Sequence, residues 1–183
     1  VFQPAQVRDS QFIQELRVLE PEAIVVVSYG RILPQALLDM PRYGGINLHP
    51  SLLPQYRGAA PIPWPILHGE KETGVTTFLM DEGMDTGPLL LQRPMAIRPF
   101  DTAGTLSERL SEEGAVLLLE TFEGLEKGNI LPVPQPEKGV SYTSKLRKSD
   151  GEIDWTRPAL QIHNQVRGLN PWPGAYTFYQ GEL

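Results

Sequence analysis

An α/β fold, with an open and mainly parallel sheet between flanking helices, is the class that the sequence predicts. Two observations indicate it. Segments with apolar residues at helical spacing alternate along the chain with short runs rich in β-branched residues. The first of those runs, residues 23–27, is apolar at every position, as in strands that are buried on both faces of a parallel sheet. We therefore expect helices to cover both faces of one sheet.

The first third of the chain supplies two helices and two strands. Residues 11–19 are expected to form a helix, because their apolar side chains recur on one face and Ser10 can cap the N-terminus. The strand at residues 23–27 follows it. Residues 33–40 predict a short helix that tolerates Pro34 in its first turn, and Gly45–His49 predicts the next strand.

The middle of the chain adds two strands and the longest helix. Residues 75–80 and 89–92 have strand-forming composition and are separated by a segment rich in turn residues. Residues 106–127 place leucines at helical spacing, and Thr105 with Glu108 matches a capping box. This helix is expected to cover one face of the sheet.

The last third of the chain has a different character. Residues 132–136 alternate proline with other residues and must be extended, so they either wrap around the domain or leave it. Residues 164–183 are interrupted by glycine and proline, and residues 175–179 predict a strand. A second, β-rich module is therefore expected to begin there.

Composition restricts the classes of function. The 183 residues suffice for one domain and a short piece of a second, and no apolar run approaches the roughly 20 residues of a membrane span, so a soluble chain with no membrane partner is expected. Cysteine is absent, which excludes disulfides and thiolate nucleophiles and fits a cytoplasmic location. The net charge of -6 argues against a broad nucleic-acid surface, so any RNA must be gripped locally.

Asn47 and His49 are the first candidate functional residues. Residues two apart in a strand share a face, so both side chains project together while Ile46 and Leu48 enter the core. They also stand at the end of a strand, where open α/β sheets place ligand crevices. In the alternative interpretation, both side chains only satisfy backbone groups of the following loop.

The loop at residues 81–88 is acidic and contains glycine, and Asp85 is its candidate functional residue. Acidic residues in such a loop are often only turn formers. The spacing does not match a calcium loop, and no paired histidine or cysteine ligands lie nearby, so no metal site is expected.

A longer pattern joins these residues. The segment INLHPSLLPQYRG at residues 46–58, followed by GVT at 74–76 and DTG at 85–87, resembles the signature of the formyltetrahydrofolate-dependent transferases. Further segments resemble the methionyl-tRNA formyltransferases within that superfamily: QP at 3–4, RGAAPI at 57–62, IDW at 153–155 and NPWPG at 170–174. Together these segments span nearly the whole chain.

The resemblance implies an architecture. A Rossmann-like catalytic domain, incomplete at its N-terminus, would occupy residues 1–150, a linker helix residues 151–170, and the beginning of an OB-like, tRNA-binding domain residues 171–183. The chain begins with Val1 rather than methionine and looks cut from a longer protein. We therefore expect this polypeptide alone to bind tRNA poorly and to be inactive.

The resemblance also implies a reaction and its residues. The reaction is formyl transfer from 10-formyltetrahydrofolate to the amino group of methionyl-tRNA, the initiator tRNA of translation. It would need Asn47 and His49 as donors to the developing oxyanion, and Asp85 to orient His49 or a water and help move a proton. The folate, a small-molecule partner, is expected to contact residues in two loops. These residues are Ser51, Leu52, Leu53, Pro54, Arg31, Ile32 and Leu33.

Other functions compatible with the motif remain open. A nucleotide-sugar formyltransferase or formyltetrahydrofolate dehydrogenase would use the same asparagine, histidine and aspartate on a different acceptor. A non-catalytic folate-binding or RNA-binding module would carry the same residues without using them. For the full-length protein we expect an enzyme that acts as a monomer.

Overall fold

A four-stranded sheet lies at the centre of the computed structural model, which describes residues 1–182. The strands, in their spatial order, are β1 (Ile24–Val26), β2 (Gly45–His49), β4 (Glu72–Leu79) and β5 (Leu89–Ala96). A second, two-stranded sheet joins β3 (Arg57–Gly58) to β6 (Tyr142–Thr143). The helices are α1 (Ser10–Val18), α2 (Gln35–Leu38), α3 (Pro63–His68), α4 (Ala103–Glu126) and α5 (Ala159–Gly168), with a 3₁₀ turn at Lys148–Gly151.

Strand directions in the four-stranded sheet are mixed. β1 and β2 are parallel, whereas β2 pairs with β4, and β4 with β5, in antiparallel register. The expected α/β sheet with flanking helices is confirmed, but the prediction of a mainly parallel sheet is wrong. The connection from β4 to β5 is too short for the crossover that parallel neighbours require, so these two strands must be antiparallel.

The strand β1 is less buried than its sequence predicts. Val26 packs in a cluster with Leu37 and Leu38 of α2, whereas Val25 and Val27 are 41% and 52% exposed. β1 is an edge strand of the sheet within the described residues, and α1 and α2 pack against one of its faces. The prediction of burial on both faces is therefore wrong for this part of the chain.

Two helix starts also differ from the predictions. Asp9 rather than Ser10 caps α1, through a hydrogen bond from the Gln11 amide to its carboxylate at 2.7 Å. The helix α4 begins one turn earlier than expected, because Thr102 and Thr105 form the capping box with each other. Both caps are short polar side chains whose oxygen accepts from a free amide of the first turn.

The helix α4 covers the antiparallel half of the sheet. It contacts β4 and β5 along its length, and the hydroxyl groups of Thr77 and Thr121 meet across this interface at 2.8 Å. The buried apolar side chains of this core are Ile66, Val75, Ile97, Ala103, Leu106, Leu110 and Leu117. This packing fixes the rear of β2 and β4, whose other side chains reach the candidate site.

The chain returns to the sheet after α4. Val133 pairs with Leu89 as an isolated antiparallel bridge, so residues 132–136 wrap around the domain rather than leave it. This is one of the two alternatives that the sequence left open. The helix α5 packs against α3. Residues 175–179 form isolated bridges at Tyr176 and Tyr179 rather than the expected strand. No helix within residues 1–182 is both long and apolar enough to cross a membrane.

Candidate active site

The strand β2 carries Asn47 and His49 at its C-terminal end. Asn47 lies opposite Phe78, and His49 opposite Thr76, in β4. Ile46 is fully buried and Leu48 packs against the α4 core. Because side chains alternate along a strand, Asn47 and His49 both point to the opposite face of the sheet. Asn47 is half-buried and His49 is 5% exposed.

The hydrogen bonds of His49 define its protonation. Its Nε2 lies 2.9 Å from the carbonyl oxygen of Tyr56, which can only accept, so Nε2 carries the proton. Burial lowers the pKa of His49, while Asp85 and the Tyr56 hydrogen bond oppose that shift. The ring is therefore neutral at pH 7, with the lone pair on Nδ1. Neutral His49 cannot donate a second hydrogen bond, so its predicted donation to an oxyanion would require protonation of Nδ1.

Asp85 faces the same imidazole. Its Oδ2 lies 3.7 Å from Nδ1 of His49 and accepts a hydrogen bond from the Gly58 amide at 2.7 Å. Its backbone has a positive φ of 55°. Asp81 has a different function, because its Oδ1 accepts from the Gly83 amide and the Thr86 hydroxyl and so shapes the turn. Asp81 is a turn former, whereas Asp85 is directed towards the site.

Two further residues complete the surroundings of Asp85. Arg57 lies within the segment that carries the family resemblance, but no role was predicted for it, and no sequence pattern indicated Gln135. Gln135 donates from its side-chain amide to the carbonyls of Asp85 and Gly87, both at 2.8 Å. Arg57 donates to the oxygen of Gln135 through Nε and Nη2. Both contacts join positions at least 48 residues apart, beyond the reach of any local pattern.

The loop after His49 is held within the fold. Ser51 is fully buried, and its hydroxyl donates to the Gln55 carbonyl at 2.6 Å. The Leu53 amide donates to the Thr76 hydroxyl, and its carbonyl accepts from Gln92 at 2.8 Å. These polar groups are thus occupied by the protein's own contacts. Pro54 is buried and Leu52 is half-buried. The predicted folate contacts of this loop remain predictions.

The other predicted folate segment follows β1. Because Val26 pairs with Asn47 in parallel, the residues after β1 leave the sheet at the same edge as His49. Ile32 is 69% exposed, Leu33 is buried in the core beside α2, and Arg31 donates to the Ala5 carbonyl at 3.2 Å. The segment is therefore positioned beside the candidate site, with Ile32 as its exposed apolar side chain.

A surface cavity of about 480 Å³ lies elsewhere. It is lined by residues that include Arg42, Gly45, Met80 and Leu125, at the N-terminal end of β2. The candidate site is at the opposite end of that strand. No cluster of three or more histidine, aspartate or glutamate side chains within residues 1–182 has a geometry for holding a metal ion.

Comparisons with known proteins agree on one family. The family model described as "Formyl transferase" matches residues 1–122, and "Formyl transferase, C-terminal domain" matches residues 145–183. The methionyl-tRNA formyltransferase of Caldanaerobacter subterraneus subsp. tengcongensis is 52% identical over 100% of this chain and 60% of its own length. That of Pelobacter propionicus is 55% identical over 99% of this chain and 57% of its own.

Solved structures agree as well. An N-formyltransferase from Helicobacter canadensis, in complex with folinic acid and dTDP-3-aminofucose, superimposes with a TM-score of 0.70 at 27% identity, over 79% of this chain and 53% of its own. HypX from Aquifex aeolicus in complex with tetrahydrofolic acid shares the fold, with a TM-score of 0.80 at 23% identity over 92% of this chain and 29% of its own.

The chain spans about three fifths of the length of the curated relatives that it matches. A family model covers more than half of its residues. The chain therefore belongs to the formyl transferase family.

Proposed function

We propose that the full-length protein transfers a formyl group from 10-formyltetrahydrofolate to the α-amino group of methionyl-tRNA, in the cytoplasm. The observation that carries the proposal is the approach of the Asp85 carboxylate to the His49 imidazole, 3.7 Å apart, beside Asn47 at the end of β2. Relatives named methionyl-tRNA formyltransferase are 52% and 55% identical to this chain, which supports methionyl-tRNA as the acceptor. The folinic acid bound to a 27% identical relative supports a folate donor.

The substrate supplies the nucleophile in this reaction. An α-amino group has an ordinary pKa of about 7.7–8.0, so part of it is neutral near pH 7. The amine nitrogen forms a bond to the formyl carbon, and the carbonyl oxygen becomes an oxyanion. The proton on the attacking nitrogen then leaves, and the bond from the formyl carbon to the folate nitrogen breaks as that nitrogen takes up a proton. The products are the formamide and tetrahydrofolate.

His49 is the proposed carrier of that proton. Its Nδ1 has a free lone pair, because Nε2–H is engaged with the Tyr56 carbonyl. Accepting the amine proton at Nδ1 creates an imidazolium next to the Asp85 carboxylate, whose charge stabilises it. The imidazolium then donates from Nδ1, first to the oxyanion and then to the departing nitrogen.

Asn47 is the proposed permanent donor to the oxyanion. Its amide keeps its donor protons at every pH, whereas His49 can donate from Nδ1 only after it has been protonated. Removing one preorganised donor of this kind typically costs about 10²–10³ in kcat. For the donor molecule, we propose contacts to Arg31, Ile32 and Leu33 after β1, and to residues 51–54, which include the half-buried Leu52.

The division of the chain is part of the proposal. Residues 1–150 would belong to the catalytic domain, residues 151–170 would form a linker that contains α5, and residues 171–183 would begin a tRNA-binding domain. The match of a separate C-terminal family model to residues 145–183 supports a boundary in this region.

The test uses the full-length protein with 10-formyltetrahydrofolate and methionyl-tRNA, and measures the N-formylmethionine that is released from the tRNA. We expect turnover with the wild type, a loss of about 10²–10³ in kcat for Asn47→Ala, and no change for Asn129→Ala, at an exposed asparagine after α4. Transfer to an amino-sugar nucleotide but not to methionyl-tRNA would reject the acceptor. Full turnover of Asn47→Ala would reject the site.

A further inference from the structure

Gln135 is half-buried, whereas its neighbours from residue 131 to residue 139 are exposed. Its side-chain oxygen accepts from Arg57, at 3.1 Å from Nε and 2.6 Å from Nη2. Its side-chain nitrogen donates to the carbonyls of Asp85 and Gly87 at 2.8 Å each. A primary amide has two acceptor positions and two donor protons, so all four are occupied. The partners also determine which side-chain atom of Gln135 is oxygen and which is nitrogen, because a guanidinium only donates and a carbonyl only accepts.

These contacts tie Asp85 to the strand β3 at two points. The Asp85 carboxylate accepts from the Gly58 amide at 2.7 Å, and the Asp85 carbonyl is connected through Gln135 to the side chain of Arg57. Arg57 is 7% exposed, and its Nη1 donates to the Tyr142 hydroxyl of β6 at 3.2 Å. Two attachments to one rigid element restrict rotation as well as translation of the aspartate.

Asp85 depends on such attachments. Its φ of 55° lies in the left-handed region, which aspartate enters more readily than most residues with a side chain but at some cost in free energy. The preceding residues, Glu82 to Met84, are exposed. The Asp81 contacts shape the turn from within the loop. The hydrogen bonds of Gln135 to the carbonyls on either side of Thr86 add a restraint from outside the loop on the conformation that directs the carboxylate towards His49.

We propose that Gln135 is a positioning residue for the formyl transfer: it holds the backbone of Asp85 and Gly87 so that the Asp85 carboxylate stays within reach of His49. Gln135 touches neither His49 nor a reacting atom and acts through Asp85. The inference rests on the proposed function, because the distance between Asp85 and His49 matters to the rate only if these two groups carry the reaction.

The test compares two substitutions in the full-length protein. Gln135→Met keeps the length of the side chain and removes all four hydrogen bonds. Gln135→Glu keeps an acceptor for Arg57 and removes the donors to the two carbonyls. We expect kcat to fall about 10- to 100-fold in both variants, as for a catalytic group displaced by about 1 Å. The KM for the formyl donor should change by less than about threefold, because ground-state binding is left intact.

The control and a structural readout accompany the rates. Gln161→Met changes an exposed glutamine of α5 in the same way and should leave kcat unaltered. Hydrogen exchange at the Gly58 amide should accelerate in Gln135→Met, because its acceptor, the Asp85 carboxylate, becomes mobile. Rates are measured well below the unfolding temperature of each variant, so that a smaller folded fraction does not pass for a lower kcat.

The outcomes separate the two claims. Suppose that the wild type is active. If the kcat of Gln135→Met is then within about twofold of the wild-type value, or if the exchange rate at the Gly58 amide is unchanged, the positioning role is overturned and the proposed function stands. Wild-type kcat in Gln135→Glu also overturns it, because the donors would then be dispensable. A wild type that fails to formylate methionyl-tRNA rejects the proposed function and this inference with it.

Discussion

A single backbone contact decides how His49 can react. The Tyr56 carbonyl accepts a hydrogen bond from Nε2–H, at an N···O distance of 2.9 Å, and leaves Nδ1 as the basic nitrogen. The phenol of Tyr56 is itself held by Glu70 at 3.0 Å, and by His68 at 3.2 Å, so the residue that presents this carbonyl is anchored at both ends. Burial lowers the pKa of His49, which keeps the imidazole neutral and ready to accept a proton near pH 7.

In the proposed mechanism, Asp85 affects both the rate and its pH dependence. Because the pKa of His49 is lowered, the acid limb of kcat in the wild type should lie below the ordinary histidine value of about 6.5. The Asp85 charge raises that pKa, so Asp85→Asn should move the acid limb to still lower pH. The same change should lower the plateau of kcat by about 10²-fold, within the range for general acid–base catalysis.

A pH profile of kcat for the full-length protein checks this. Glu82→Gln, at an exposed acidic residue of the same loop, is the control and should leave both the plateau and the acid limb in place. An acid limb of Asp85→Asn at the wild-type pH, or above it, would show that the carboxylate does not act on the imidazole.

At the scale of elements, the two-residue strand β3 organises the site. Its pairing with β6 fixes Arg57, which holds the Asp85 backbone through Gln135, and Gly58, whose amide donates to the Asp85 carboxylate. Gly58 has a φ of 98°, and a Cβ added there would lie 2.8 Å from the Thr143 carbonyl oxygen. The close approach of β3 to β6 thus requires glycine.

Gly58→Ala should destabilise the protein more than Gly139→Ala. Gly139 has a similar φ of 82°, but a Cβ there meets no atom within 4 Å, so its substitution costs only the left-handed backbone strain, about 1–2 kcal/mol. At Gly58 the backbone of β6 must move as well, and the loss should be larger by about 1 kcal/mol or more. Urea unfolding of both variants measures the difference, and equal losses would contradict it.

At the scale of the whole molecule, the C-terminal residues are joined to the sheet by a buried arginine. Arg167 of α5 donates to Asn164 at 3.0 and 2.9 Å, and to the carbonyls of Arg98 and Asp101 at 3.3 Å. Those carbonyls lie in the connection from β5 to α4. Burial lowers the pKa of Arg167, and the charge of Asp101 opposes that shift. α5 is therefore fixed to the domain that carries the candidate site.

Arg167→Met should cost at least about 2 kcal/mol of unfolding free energy, because it leaves buried carbonyl and amide oxygens without donors. Arg157→Met removes an exposed ion pair with Asp154, at 3.6 Å, and should cost less than about 1 kcal/mol. Chemical denaturation of the two variants tests the comparison. A loss for Arg167→Met as small as that for Arg157→Met would mean that α5 is held by its other contacts.

Features that depend on neighbouring residues were predicted from the sequence. Alternation along β2 correctly put Asn47 and His49 on one face, and leucine spacing located α4. The family resemblance was confirmed, and it singled out Asp85, which acidic composition alone could not distinguish from Asp81. The mainly parallel sheet was a wrong prediction. The short connection from β4 to β5 already required an antiparallel pair, whereas the direction of β4 against β2 depends on which strands become neighbours, and composition hardly records that.

The sequence alone was sufficient for the family, for the four strands of the main sheet with α1, α2 and α4, and for three candidate side chains, since each is encoded in residues close together along it. The short strands β3 and β6 and the helix α3 were not predicted. The tautomer of His49, the orientation of Asp85 and the contribution of Gln135 required the folded molecule. Asp85 is held by contacts across 27 and 50 residues, and Gln135 by one across 78. Partners so far apart meet only through packing of the whole domain, and it is this packing that turns three polar residues into a site.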